Sequence, residues 1–309
     1  MRILVIGACG KMGRGHVKYL KELGCEVYGL DVNPNINLIS KEIGFIPIDG
    51  IEEIQALGID GITVAVPPGE EPDICKRLLE MDMNILCEKP VALSTEAVSS
   101  IIDAEKRSKG RVMVGFTMKY DASFIKMREV IKSGKIGKVV GINAKKCWRA
   151  STSWRFKKNG GVVFIKDIHY FDLIPWLLGI PIEDVFAIGG NDYYGGESED
   201  NYFLLSKLSG NIPFSLISAW WSYDKGESYF EVLGTKGGLV VDKKAKLYLS
   251  GEEVEIFRED PLKVELREFM NMIRGVKKAF PDLTNALNAI RIAECVKNSL
   301  ETGKVVKCR

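Results

Sequence analysis

A short apolar segment followed at once by three regularly spaced glycines constrains the fold of this chain more than any other feature. Residues 1–6 (MRILVI) lead into Gly7, Gly10 and Gly13, in the pattern Gly-x-x-Gly-x-x-Gly. Glycines at these points let a strand turn sharply, bring backbone amides close to a pyrophosphate and let the next helix pack on the strand. Apolar residues at helical spacing predict that helix over 11–23. The pattern is one residue longer at the front than the commonest fingerprint, and it predicts a dinucleotide-binding loop.

The second predicted strand ends in an acidic residue. Residues 25–30 (CEVYGL) stop at Asp31, which lies 18 residues beyond Gly13. A carboxylate at this position accepts hydrogen bonds from both ribose hydroxyls of an adenosine and repels a 2′-phosphate, which favours NAD over NADP. The alternative is a solvated aspartate in the turn 31–34 (DVNP).

Strands and helices continue to alternate after this point. Predicted apolar strands and the helices between them are 61–66, 70–81, 84–87, 94–109 and 111–116. Strands that are apolar on both faces are typical of a parallel sheet covered by helices. We therefore predict an α/β fold that starts with a Rossmann doubly wound parallel sheet over 1–118.

Beyond residue 180 the pattern changes to strands in direct succession. These predicted strands are 185–190, 201–208, 213–221, 228–233 and 238–241. Strands without intervening helices indicate a C-terminal α+β domain with a large, mostly antiparallel sheet, which we place at 119–309. Helices are predicted at 262–277 and 283–302. The sequence does not decide whether the helix at 283–302 packs on the first domain.

Composition excludes several classes of protein. The chain has 309 residues, 46% of them hydrophobic, and a net charge of +2, which suits two compact soluble domains and no nucleic-acid partner. No apolar run approaches the ~20 residues of a membrane helix, and no cleavable signal is expected. The seven cysteines include no Cys-x-x-Cys pair, so no zinc site or disulfide framework is predicted. We expect a protein of the reducing cytoplasm with no metal.

The tripeptide Glu88-Lys89-Pro90 closes the apolar strand 84–87. Lys89 is thereby expected at the carboxyl edge of the sheet, where open α/β folds bind ligands. The alternative for a lysine before a proline is a solvated turn residue.

Only two histidines are available for acid–base chemistry. His16 lies in the first predicted helix and is interpreted as a packing residue. His169 lies in a later helical stretch, where Lys166 and Asp172, three residues before and after it, share its face. A structural role is the alternative for His169.

The motifs, taken in order, resemble those of the glucose-fructose oxidoreductase, inositol dehydrogenase and MocA family. The resemblance rests on the glycine loop, Asp31, Val66-Pro67-Pro68, Glu88-Lys89-Pro90, 114–120 (VGFTMKY), Trp154-Arg155, Gly160-Gly161, 169–172 (HYFD), 176–179 (WLLG) and 233–237 (LGTKG). It implies NAD(P)-dependent hydride transfer at a carbinol carbon of a sugar, cyclitol or nucleotide sugar, with Lys89 and His169 at the nicotinamide. The cofactor-binding residues it implies are Gly7, Cys9, Gly10, Lys11, Met12, Gly13, Asp31, Val66, Pro67, Glu88, Lys89, Thr117, Trp154 and Arg155.

The chain departs from the family pattern at three points. Ile165 stands where relatives carry an acidic residue four before the histidine, and Thr117 replaces a common asparagine. The histidine usual after the prolines of the third strand is absent. Asp172 either orients His169 or packs in the helix, and the sequence leaves both open.

The chemistry requires a base, because the hydroxyl of the substrate loses a proton as hydride leaves its carbon. His169 titrates near neutrality, and Lys89 polarises the oxygen or acts as the base itself. An imine or tetrapyrrole reductase on the same scaffold is one alternative. A dinucleotide-sensing regulatory protein without turnover is another, and the pairing of a lysine with a titratable histidine argues against it.

Two further expectations concern the second domain. Aromatic side chains could stack on a sugar ring, and a basic stretch over 145–158 could bind a diphosphate, which slightly favours a nucleotide sugar as the substrate. The aromatic residues are Trp148, Trp154, Trp220, Trp221, Tyr193 and Tyr194. The strand 212–221 is apolar on both faces, while the helices suffice to cover one face of the sheet. A homodimer or homotetramer that buries the other face, with Ile217 and Phe230 in the contact, is therefore expected.

Overall fold

The computed structural model describes residues 1–149, 161–222 and 226–308. The chain divides into two compact units. Unit one comprises Met1–Tyr120 and Glu259–Leu287, and unit two comprises Asp121–Arg258 and Asn288–Arg309.

Unit one contains a six-stranded parallel sheet in the order β3-β2-β1-β4-β5-β6. Its strands are β1 (Arg2–Ile6), β2 (Glu26–Leu30), β3 (Ile46–Pro47), β4 (Gly61–Val64), β5 (Ile85–Glu88) and β6 (Val112–Gly115). The side chains of β4 and β6 are fully buried on both faces, because helices cover the sheet on either side. The predicted doubly wound Rossmann sheet is confirmed.

The helices of unit one are α1 (Lys11–Glu22), α2 (Ile36–Ile43), α3 (Ile54–Leu57), α4 (Glu71–Glu80), α5 (Thr95–Arg107) and α8 (Pro261–Ile273). The first residue before α5, Ser94, accepts a hydrogen bond from the amide of Ala97 at 3.2 Å and so caps the helix, as its sequence predicts. Helix α8 comes after most strands of the second sheet in the chain, yet its apolar stripe packs in the core of unit one through Leu266 and Phe269, both fully buried.

Unit two contains a nine-stranded sheet in the order β14-β13-β12-β11-β7-β10-β9-β8-β15. Its strands are β7 (Val139–Cys147), β8 (Ile182–Gly190), β9 (Asn201–Leu208), β10 (Ile212–Ala219), β11 (Glu227–Gly234), β12 (Gly237–Val241), β13 (Leu247–Leu249), β14 (Glu252–Glu253) and β15 (Val306–Lys307). Apart from β7 and β10, which run parallel, neighbouring strands are antiparallel. The prediction of a mostly antiparallel C-terminal sheet is confirmed.

One face of this sheet is covered within unit two by helices that include α6 (Ala122–Lys132) and α7 (Ile168–Leu178). Phe230 points to this face, where its ring lies 5.6 Å from that of Phe124 and 5.2 Å from that of Tyr170. The expectation that Phe230 belongs to a contact between subunits is therefore wrong, because a strand alternates its side chains and this one is in the core.

The other face carries exposed apolar side chains. Ile188, Phe203 and Leu205 are 63%, 60% and 64% exposed. They lie on β8 and β9, two neighbouring strands, and so form a continuous surface that we call the open sheet face. Helix α9 (Leu283–Thr302) precedes the last strand, β15. None of the helices in the described ranges is long and apolar enough to span a membrane.

Candidate active site

The glycine loop joins β1 to α1 in the way its spacing predicts. Gly7 has φ of +83°, and a side chain there would collide with the carbonyl oxygen of Ala65 on the neighbouring strand. A side chain at Gly13 would collide with the backbone of Gly7, so only glycine lets α1 begin this close to β1. The first amides of α1 are the kind of donors that bind a pyrophosphate.

Asp31 follows β2 and holds the loop in place. Its carboxylate accepts hydrogen bonds from the amide of Cys9 at 2.7 Å and from the amide of Asn33 at 2.9 Å. It also lines a cavity of about 690 Å³ within unit one. The cavity is lined by Ile6, Gly7, Cys9, Gly10, Leu30, Asp31, Val32, Asn33, Asp49, Ile51, Ala65, Val66, Pro67, Glu70, Ile74 and Arg77.

This cavity brings together six of the predicted cofactor residues: Gly7, Cys9, Gly10, Asp31, Val66 and Pro67. Lys11, Met12 and Gly13 lie in the first turn of α1. Glycines that make room for a close ligand, apolar walls and a carboxylate at the second strand fit the adenosine and pyrophosphate of NAD. Sequence reasoning missed Asp49 and Arg77, two charged residues of the same wall.

Glu88 is the last residue of β5, and Lys89 follows it, partly buried. The Glu88 carboxylate is 6% exposed and lies 3.0 Å from Nε2 of His16, which is fully buried in α1. Gly115 at the end of β6 leaves room for it, since a Cβ there would lie 3.0 Å from the Glu88 Cδ. His16 therefore packs as predicted and also binds the residue before Lys89.

Thr117 connects this region to α8. Its Oγ1 lies 3.3 Å from Oε2 of Glu265, a fully buried residue of that helix. Burial and the neighbouring charge of Glu88 raise the pKa of the Glu265 carboxyl well above its usual range. Sequence reasoning missed Glu265, although an acidic residue that interrupts the apolar stripe of Leu262, Leu266 and Phe269 was a signal.

A third buried carboxyl group lies at the start of α4. Glu71 is 1% exposed and accepts a hydrogen bond from the amide of Gly69 at 2.7 Å. Burial raises the pKa of Glu71 to about 8, so that this side chain is mostly protonated at neutral pH.

His169 and Asp172 lie in unit two on α7. The helix is preceded by one π-helical turn, Val163–Asp167, so that the helical stretch starts earlier than α7 itself. His169 is partly buried in the first turn of α7, and Asp172, 5% exposed, lies one turn further along. Ile165 is buried in the π-helical turn, so this position provides an apolar side chain and not a carboxyl group.

Lys166 is bound to the sheet of unit two. Its Nζ donates to the carbonyl oxygens of Lys146 at 2.7 Å and Ala219 at 2.6 Å, at the ends of β7 and β10. The ring centroids of Trp148 and Trp220 each lie 4.7 Å from the ammonium. Burial lowers the pKa of Lys166 to about 8, whereas two carbonyls and two aromatic faces favour the charged form. This lysine joins two strand ends.

The described aromatic and basic residues of unit two are mostly engaged with one another. Trp148 and Trp220 pack around Lys166, so neither is a free stacking face. Lys145 pairs with Glu227. Tyr193 and Trp221 are 45% and 38% exposed, with ring centroids 5.4 Å apart. Trp154 and Arg155 lie outside the described residues.

Comparison with known proteins matches both parts of the chain. Residues 1–116 match the family described as "Oxidoreductase family, NAD-binding Rossmann fold", and residues 124–240 match the "GFO/IDH/MocA C-terminal domain". The chain is 25% identical to the myo-inositol 2-dehydrogenase of Thermotoga maritima, over 99% of this chain and 98% of that protein.

Solved structures share the fold. The WlbA dehydrogenase from Bordetella pertussis, in complex with NADH and UDP-GlcNAcA, has a TM-score of 0.87 and 21% identity, covering 99% of this chain and 98% of that one. The scyllo-inositol dehydrogenase from Lactobacillus casei, with NAD(H) and scyllo-inositol, has a TM-score of 0.85 and 20% identity, covering 100% and 99%.

Proposed function

The chain belongs to the GFO/IDH/MocA family of oxidoreductases, and we propose on this premise that it is an NAD-dependent dehydrogenase acting on a CH–OH carbon of a sugar, cyclitol or nucleotide sugar. The resemblance inferred from its motifs is confirmed. One observation carries the proposal: the cavity of unit one combines the glycine loop with Asp31, and the same sheet edge presents Lys89.

The residues that would hold the cofactor are those of the cavity. The amides after Gly10 would bind the pyrophosphate, and Asp31 would accept from the ribose hydroxyls. The wall of Val66 and Pro67 would exclude water from one side. Glu88 ends β5, Lys89 follows it and Thr117 comes shortly after β6. These three residues would lie near the nicotinamide, a position that the family pattern also gives to Trp154 and Arg155.

The proton chemistry is assigned to Lys89 and His169. The bound NAD would supply the hydride acceptor for the carbinol carbon. The hydroxyl of that carbon must release its proton, and the His169 imidazole takes it while the Lys89 ammonium polarises the oxygen. Asp172, one helical turn from His169, fixes the orientation of the ring.

The substrate class is supported by the relatives. The myo-inositol 2-dehydrogenase is named for a cyclitol, and the WlbA structure holds a nucleotide sugar. Relatives named as dehydrogenases favour turnover over a sensing role, and a CH–OH substrate over an imine or tetrapyrrole. Tyr193 and Trp221 offer the exposed aromatic pair for a sugar ring.

We further propose that the protein is cytoplasmic and associates through the open sheet face into a homodimer or homotetramer. The exposed Phe203 and Leu205 support this assembly, because a continuous apolar surface of this kind is rare on a soluble monomer. The predicted limits, 1–118 for cofactor binding and 119–309 for substrate binding and assembly, form part of the proposal.

An NAD-reduction screen over inositols, free sugars and nucleotide sugars tests the function. With the best substrate, Lys89→Met and His169→Ala should each lower kcat by roughly two to four powers of ten and leave the Kd for NAD little changed. Lys106→Met, an exposed lysine of α5, is the matched control. Near-normal turnover in either variant removes that residue from the mechanism. Binding of NAD without hydride transfer to any of these substrates would contradict the enzyme assignment.

A further inference from the structure

Three buried titratable side chains from distant parts of the chain meet beside Lys89. His16 comes from α1, Glu88 from the end of β5 and Glu265 from α8, all within unit one. Their exposures are 0%, 6% and 0%. Groups of this kind are expensive to bury, so each must be neutral or compensated.

His16 compensates Glu88. Its Nε2 lies 3.0 Å from Oε1 of the carboxylate and therefore carries the hydrogen, since an ionised carboxylate only accepts. The other ring nitrogen, Nδ1, has no hydrogen-bond partner among the described residues. The hydrogen bond from His16 therefore fixes one carboxylate oxygen of Glu88, the residue that precedes Lys89.

Glu265 must be neutral for a different reason. Its Oε2 has Thr117 as a partner, whereas Oε1 is buried with no hydrogen-bond partner in the described part of the chain. A carboxylate would leave charge on that bare oxygen, and a carboxylic acid would not. Thr117 Oγ1 donates to Oε2 and also lies 3.5 Å from the carbonyl oxygen of Gly115, so the carboxyl group is linked to the end of β6.

We propose that His16 and Glu265 are positioning residues for Lys89: together with Glu88 they form a buried group that carries one negative carboxyl charge and holds the backbone from which Lys89 extends. The proposal rests on the proposed function of Lys89. Thr117 donates the hydrogen bond that the Glu265 carboxyl group accepts. In the described part of the chain, the titratable groups that interact electrostatically with Glu88 include Glu71 of α4 and Cys87 of β5.

The group has a defined response to pH. Removing the proton of Glu265 puts a second negative charge beside Glu88, and the burial of both makes that arrangement unfavourable. The pKa of Glu71 is about 8, so its ionisation also adds negative charge near Glu88 as the pH rises, and the variant Glu71→Gln controls for it.

The decisive comparison uses two replacements of Glu265. Glu265→Gln keeps a neutral group whose oxygen accepts from Thr117, so kcat at pH 7 should stay within about twofold of wild type, and the alkaline decline of kcat should begin about one pH unit or more higher. Glu265→Leu removes the acceptor of the Thr117 hydrogen bond and should lower kcat at least tenfold. Glu268→Gln, in the same helix and paired with Lys277, is the matched control and should follow wild type.

A readout without turnover separates this proposal from the proposed function. Infrared spectra of wild type at pH 7 should contain the band of a protonated buried carboxyl, weakened in Glu265→Gln and unchanged in Glu268→Gln. His16→Ala should lower kcat about tenfold with the Kd for NAD unchanged. An unchanged infrared band in Glu265→Gln, or a loss of kcat equal to that of Glu265→Leu, overturns the proposal even if the enzyme is a dehydrogenase. If no substrate is turned over, the infrared result still decides whether Glu265 is protonated.

Discussion

Replacing Glu71 by Gln removes a carboxyl group whose ionisation opposes folding. The side chain is 1% exposed and its pKa is about 8, against about 4.3 in an unfolded chain. Because the folded pKa is raised, the folded state prefers the protonated form. Wild-type stability is therefore unaffected by this group below about pH 4, falls as the pH rises from 4.3 to 8, and is constant above.

The magnitude follows from this linkage. Each pH unit between 4.3 and 8 costs about 1.4 kcal/mol, which gives about 4 kcal/mol at pH 7 and an upper limit of about 5 kcal/mol at pH 8. Glu71→Gln keeps an oxygen that accepts from the Gly69 amide and removes the cost of ionisation. In a unit of about 150 residues, 4 kcal/mol corresponds to a rise in Tm of about 8 to 16 °C.

Thermal unfolding of wild type and Glu71→Gln between pH 4.5 and 8.5 checks this expectation. The two proteins should have similar Tm values at pH 4.5, and the difference should grow with pH and level off near pH 8. Glu80→Gln, at the exposed end of the same helix, should match wild type throughout. A Tm difference that does not change with pH would refute the reasoning, because it would mean that Glu71 ionises as readily in the folded state as in the unfolded chain.

Two further predictions concern cofactor choice and assembly. Asp31→Ser should narrow the preference for NAD over NADP by roughly 10- to 100-fold, because it removes the carboxylate that repels a 2′-phosphate. Calorimetry gives the Kd values for both cofactors, and an unchanged ratio of the two contradicts the role of Asp31. Phe203→Asp together with Leu205→Asp should convert a dimer or tetramer to a 34.4 kDa monomer in light scattering, whereas Phe257→Asp, at an exposed apolar residue outside the strands, should not. A monomeric wild type at micromolar concentration would refute assembly through this face.

The sequence determined the features that depend on short-range order. The alternation of apolar strands and helices, the glycine loop, the Ser94 cap and the position of Asp31 after β2 all follow from spacing along a few turns of chain. Such signals are strong because backbone conformation and hydrophobic periodicity are local properties. Short elements such as β3, β13, β14 and β15 escaped prediction, since two or three residues carry too little pattern.

Tertiary structure decided which distant residues share a site and which face of a strand is covered. Alternation in β11 shows that Phe230 and Glu231 point to opposite sides, but only the packed helices place Phe230 in the core. His16 and Glu265 lie far from Glu88 in the sequence. They come close to it because α1 and α8 pack together in unit one. The physical reason is that burial and charge compensation are set by long-range packing, which a local pattern of residues does not encode.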